Sequence, residues 1–170
     1  MPSASDPKAL HIANDLRLAA EDAKDARTLL AVKSRNAAYH AQQATEKLLL
    51  ALLTSEDVHA QRHESHQLGI MIEKLPPDYP MVADLKRLEF LTAFATTYRY
   101  PKPGGRLPPP PDASKIAAAL DQIDALIKLA CSHYSVDVSA DPKVPAQNPT
   151  RMRVSKGSSG EGGASRGPSR

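Results

Sequence analysis

Arg35 and His40 stand five residues apart in "SRNAAYHAQQATEKLLLALL" (Ser34 to Leu53), and both side chains could act on a phosphodiester. An imidazole titrates near neutral pH and can take the proton of a ribose 2′-hydroxyl. A guanidinium can stabilise the charge of a pentavalent phosphate. Five residues of helix turn the chain through about 500°, so the two side chains leave the axis roughly 140° apart. The residues that share the His40 face are Asn36, Gln43 and Lys47, one turn before it and one and two turns after. Together they make a polar strip with one titratable base. The competing description is a solvated helix face whose histidine is bonded to a neighbour.

"TYRYP" places Arg99 between Tyr98 and Tyr100 and stops the chain direction at Pro101. The arginine could cap the carbonyls at a helix C-terminus, or bind a phosphate while a tyrosine stacks on a base. In "HAQRHESH", His59, His63 and His66 follow at steps of four and three, with Glu64 among them. On one helix face they would form a zinc half-site. The segment falls where the chain should turn, however, and His66 reads better as the start of a short helix, so no metal ligand and no cofactor is assigned. Cys131 has no base near it in sequence and reads as packing. No glycine-rich phosphate loop and no serine-nucleophile motif is present.

The elements that must position these residues are helical. Ile12, Leu16, Ala19, Ala23, Ala26 and Leu30 form one apolar stripe, and Ala37, Ala41, Ala44, Leu48 and Leu52 a second. Leu88, Leu91, Ala95 and Tyr98 form a third, and Ile116, Leu120, Ile123, Ile127, Ala130 and Tyr134 a fourth. Steps of three and four keep one helix face apolar, and no segment alternates as a strand does. Helices are predicted near 9–31, 34–54, 66–75, 80–98 and 112–135. The fold class is all-α, an antiparallel up-and-down four-helix bundle with one additional short helix. "RYPKPGGRLPPPPD" (Arg99 to Asp112), with six prolines and two glycines, must lie outside any helix.

Composition narrows the function classes. The chain has 170 residues, enough for one domain with a true core, and only 4% aromatic residues with no tryptophan, so that core must be aliphatic and alanine-rich. One cysteine excludes an internal disulfide framework and fits a reducing compartment. No apolar run is long enough to span a bilayer, and the first ten residues lack a signal-peptide layout, so the chain reads as soluble and cytoplasmic, without membrane association. The net charge of +3 belongs to the end of the chain, because residues 1–140 hold sixteen basic and seventeen acidic side chains. Residues 1–139 read as the helical bundle, and 140–170, rich in Pro, Gly and Ser, as a disordered basic tail. Any RNA contact with the bundle must then come from a local patch.

"YHAQQATEK" (Tyr39 to Lys47), His66-x-Leu68 and Tyr98-Arg99-Tyr100-Pro101, in this order and ahead of a last amphipathic helix, resemble the HEPN family (higher eukaryotes and prokaryotes nucleotide-binding domain) over about residues 9–136. Where many members carry a second lysine after the Glu-Lys pair, this chain has Leu50. The resemblance implies a helical bundle, usually a homodimer, that handles RNA or nucleotide in a groove between protomers. Many members are metal-independent endoribonucleases with an Arg, four to six residues, then His; others bind without catalysis. Many bacterial members pair with a small nucleotidyltransferase as toxin and antitoxin. The catalytic candidates are His40, Arg35 and Arg99; the substrate-binding candidates are Asn36, Gln43, Lys47, Tyr98 and Tyr100. Enzyme and non-catalytic nucleotide- or protein-binding module both stay open, as does a dimerisation unit with an RNA-contacting tail.

Overall fold

The computed structural model describes residues 6–154 apart from Thr97, and no strand occurs among the described residues. Five α-helices and one 3-10 segment follow in order: α1 (Pro7–Ala31), α2 (Asn36–Ser55), α3 (Leu68–Glu73), α4 (Val82–Arg87), the 3-10 segment Glu89–Phe94, and α5 (Ala113–Tyr134). The Asp6 side chain starts α1 by accepting from the Lys8 amide at 3.0 Å, and Pro7 occupies the first helical position, where no amide hydrogen is needed. Asp112 does the same for α5, accepting from Ser114 and Lys115.

Helices α1 and α2 share the largest interface. Its seam is built from buried alanines (Ala19, Ala23 and Ala26 against Ala37, Ala41 and Ala44), whose small side chains let the two backbones approach closely. Helix α5 closes the third side with Ile116, Leu120, Ile123 and Ile127, and the Arg27 guanidinium clamps it to α1 through Asp121 and Asp124. At the base of the core, the Tyr134 hydroxyl donates to Ser55 Oγ and meets the Tyr79 hydroxyl, both at 2.8 Å.

All three long helices stop in the same way. Lys33, Asp57 and Ser135 take left-handed backbone angles (φ 56°, 57° and 51°) just past α1, α2 and α5. The next amide reaches back five residues: Ser34 to the Leu29 carbonyl, Val58 to Leu53 and Val136 to Cys131. This arrangement usually employs glycine, because a Cβ costs about 1 kcal/mol or more at such angles.

Two expectations need correction. The helix expected at 80–98 is two short pieces, α4 and the 3-10 segment. From Leu85 onward the large buried side chains Leu88, Leu91 and Phe94 follow at steps of three, which matches three residues per turn and not 3.6. The stretch expected to be disordered from residue 140 packs against the base of the bundle as far as Val154. There the Ala146 amide donates to the Ala9 carbonyl, Asn148 bonds the carbonyls of His133 and Tyr134, and Met152 is buried. Arg151 pairs with Asp78 and with Glu56, whose carboxyl burial pushes up against the pull of Arg151. Residues 155–170 of the expected tail lie outside the described residues.

Candidate functional site

The closeness of α1 and α2 turns Asp22 of α1 toward the polar strip of α2. Asp22 is buried, and its carboxylate divides between two partners: Oδ1 meets His40 Nδ1 at 2.8 Å, and Oδ2 accepts from the Lys47 ammonium. Residues 40 and 47 are two turns apart on α2, so one carboxylate reaches both across the seam. Asp15, two turns before Asp22, also feels the Lys47 charge. Burial pushes the Asp15 carboxyl up to about 6, with His11 and Lys47 opposing that rise. His40 and Lys47 each keep about a quarter of the side chain exposed (28% and 26%), so the array opens to solvent along α2.

With Nδ1 donating to a carboxylate, the imidazole holds its other nitrogen, Nε2, as the acceptor. No hydrogen bond involves that nitrogen among the described residues. The Tyr39 ring meets the His40 ring edge-on, with centroids 5.3 Å apart. The Arg99 guanidinium lies over the Tyr39 face at 4.5 Å and near Tyr100 at 5.8 Å. His40, Tyr39, Arg99 and Tyr100 thus form a continuous ridge, although sixty positions separate its two halves in the chain. Tyr100 is exposed, whereas Tyr98 packs on Phe94 and belongs mainly to the core margin.

The other candidates are distributed differently. Arg35 does not join His40. Its Nη2 donates to the Pro108 carbonyl at 2.6 Å and fastens the proline-rich loop to the start of α2. Asn36 is exposed at the first position of α2. Gln43 belongs to a second polar group, donating to Gln42 and to Glu46. The buried Glu46 carboxylate there accepts from Gln42 at 2.8 Å and meets His66 Nδ1 at 3.0 Å. His66 is therefore fixed by α2, Glu64 pairs with Lys74, and no group of three metal-ligating side chains occurs among the described residues. Asp22, Asp15, Tyr39 and Glu46 escaped the sequence reading. Within "AAEDAKDART", Asp22 is one acid among three on what looks like a solvated helix, and no residue type marks which of them faces α2.

The loop that carries Arg99 adds Lys102 and Arg106, both exposed, and Asp112 is its one acid, engaged as a helix cap. A near-neutral bundle thereby acquires a local basic surface beside exposed aromatic faces.

The described residues form an all-helical fold in which a histidine is held by a carboxylate beside an arginine on a tyrosine, and the family matched below makes it a nucleotide- or RNA-related helical domain. The HEPN domain family matches residues 14–133, and the chain belongs to that family. No curated protein and no solved structure matches the chain. No helix among the described residues is long and apolar enough to cross a membrane.

Proposed function

We propose that the chain binds RNA along the ridge of His40, Tyr39, Arg99 and Tyr100 and cleaves it without a metal ion. The observation that carries this reading is the 2.8 Å contact between His40 Nδ1 and the buried Asp22 carboxylate. It fixes the imidazole tautomer and leaves Nε2 free to accept a proton, the arrangement a general base requires. In the proposed reaction Nε2 takes the proton of a ribose 2′-hydroxyl, and the 2′-oxygen bonds the neighbouring phosphorus. The bond from phosphorus to the 5′-oxygen then breaks, the departing oxygen is protonated from solvent, and a 2′,3′-cyclic phosphate remains. Arg99 stabilises the pentavalent phosphate, and Tyr39 or Tyr100 offers a face to a base. Lys47 serves as a positioning residue, because its ammonium shares Asp22 with His40. Arg35 is better assigned to loop anchoring than to chemistry, given its bond to Pro108. The proposal includes a homodimer and a nucleotidyltransferase partner of the toxin–antitoxin kind, as the family resemblance implies.

A second reading rests on the same carboxylate. Asp22 is shared by two cationic or cation-forming groups, so the array is self-satisfied and could hold a nucleotide without reacting. RNA incubated with the full chain in EDTA separates the two. Cleavage with cyclic-phosphate ends, lost in His40→Ala and Arg99→Ala, supports the nuclease. Intact RNA that is retained by the parent and released by Arg99→Ala supports the binding module.

A further inference from the structure

At the end of the bundle where α2 and α5 begin, a cavity of about 340 Å³ lies beneath the proline-rich loop. Ala37, Ala38 and Ile116 form its floor, each almost wholly buried in the core, and Leu30 forms one wall. The rings of Pro110 and Pro111 form the roof. The volume falls at the lower end of the range of about 300–1,000 Å³ typical of small-molecule sites.

Two properties make this a built slot. First, its shape is preset. Alanine has no rotamers to order, proline rings have fixed backbone angles, and the Arg35 bond to the Pro108 carbonyl holds the roof to α2. Second, its polarity is divided. The lining is aliphatic except along one side, where Lys33, Ser34 and Arg35 follow one another in the α1–α2 turn. Lys33 is held there by the left-handed turn, its amide bonded to the Leu30 carbonyl and that of Ser34 to Leu29. The Asp112 carboxylate nearby is occupied by two amides of α5.

From these two properties we infer that the cavity binds a small molecule with a flat apolar body and one anionic head, an aryl carboxylate in class. The body fills the slot between the alanine floor and the proline roof, and the head meets Lys33 and Arg35. A nucleobase fits less well: its polar edge would be buried against aliphatic side chains with no amide or carboxylate of a side chain to pair it. Residues 155–170 are no rival occupant either, since they carry no apolar side chain larger than proline and share the positive sign of the turn.

The test uses the full chain, with 2-naphthoate as probe, uncharged 2-naphthylmethanol and AMP as comparators, and amide NMR with calorimetry as readouts. The expected result is saturable naphthoate binding that shifts the amides of Ala37, Ala38 and Ile116. The exposed substitution Lys33→Glu should weaken it about ten-fold, the loss of one attraction and gain of one repulsion near a surface. Naphthylmethanol should bind Lys33→Glu and parent equally, and Ala38→Leu should abolish both by filling the slot. If Ala38→Leu unfolds the chain, the Lys33→Glu comparison decides alone. The inference is overturned if millimolar naphthoate shifts none of these amides, if Lys33→Glu binds it as tightly as the parent, or if AMP displaces it at lower concentration. His40→Ala should leave naphthoate affinity unchanged, so the outcome is independent of the RNA reading.

Discussion

Replacing Asp22 by Asn tests the centre of the site. The substitution keeps the side-chain shape and one acceptor oxygen, so it can still satisfy His40 Nδ1, but it turns an amide NH2 toward the Lys47 ammonium. Two donors then face each other where a carboxylate oxygen stood. Removing one partner of a fully buried ion pair costs about 3–5 kcal/mol. Here the Asp22 side chain is 12% exposed, while its two partners keep about a quarter of their side-chain surface in water, so solvent can relieve part of the loss. The net cost should be about 2 kcal/mol, or roughly 4–8 °C in Tm for a chain of this size. Urea unfolding at pH 7 of the parent, Asp22→Asn, Lys47→Met and the double variant would measure it. The cycle should return a coupling of about 1 kcal/mol or more, because the two side chains share one contact. RNA cleavage or binding should fall in step, since the imidazole loses its charged anchor. Stability of Asp22→Asn within about 0.5 kcal/mol of the parent, or strict additivity with Lys47→Met, would refute the bridging role.

Three further outcomes follow from other features. Because burial raises the Asp15 carboxyl from 3.8 to about 6, the folded chain holds that proton more tightly than the unfolded one. The resulting stability is fully present below about pH 4 and is lost as pH rises through about 6; unfolding free energies across pH 3.5–7.5 should show that fall, at most about 3 kcal/mol, and Asp15→Asn should flatten it. Met152→Ala should destabilise by about 2–3 kcal/mol, because Met152 is buried against the bundle, while truncation after Val154 should change Tm by no more than a degree or two. Ser135→Gly should stabilise by about 0.5–1 kcal/mol in chemical denaturation, since glycine occupies the left-handed angle at the end of α5 without a Cβ penalty.

The parts of the fold that were legible are those where periodicity and chain identity agree. The four-and-three stripes mark the long amphipathic segments that appear as Pro7–Ala31, Asn36–Ser55 and Ala113–Tyr134, and an all-helical fold follows from them. No glycine marks the ends of these helices: Lys33, Asp57 and Ser135 take the left-handed angles that a glycine would have announced. The break after Arg87 carries no Gly or Pro; its one signal is the three-step spacing from Leu85 to Phe94, which a reader expecting 3.6 absorbs into a longer helix. Residues 141–154 offer two apolar anchors, Ala146 and Met152, too few to form a pattern, and they dock largely through backbone and Asn148 hydrogen bonds. At the site, His40, Lys47 and Arg99 stood out by residue type. Asp22 and Tyr39 did not, since what distinguishes them is the register of α1 on α2 and a contact across sixty residues.

The segment from Asp141 to Val154 joins the first helix to the last: Ala146 bonds Ala9, Asn148 bonds Tyr134, and Arg151 reaches Glu56 at the end of α2. During synthesis these partners leave the ribosome in order, and the piece that ties them emerges after all of them. A nascent chain ending at Tyr134 has every long helix yet leaves the Glu56 carboxylate without its arginine and the Ala9 carbonyl without the second donor that Ala146 supplies. The base of the bundle is thus completed by a stretch translated after all the helices it ties, and products that stop before Asp141 carry an open, acid-marked end that residues 141–154 otherwise cover.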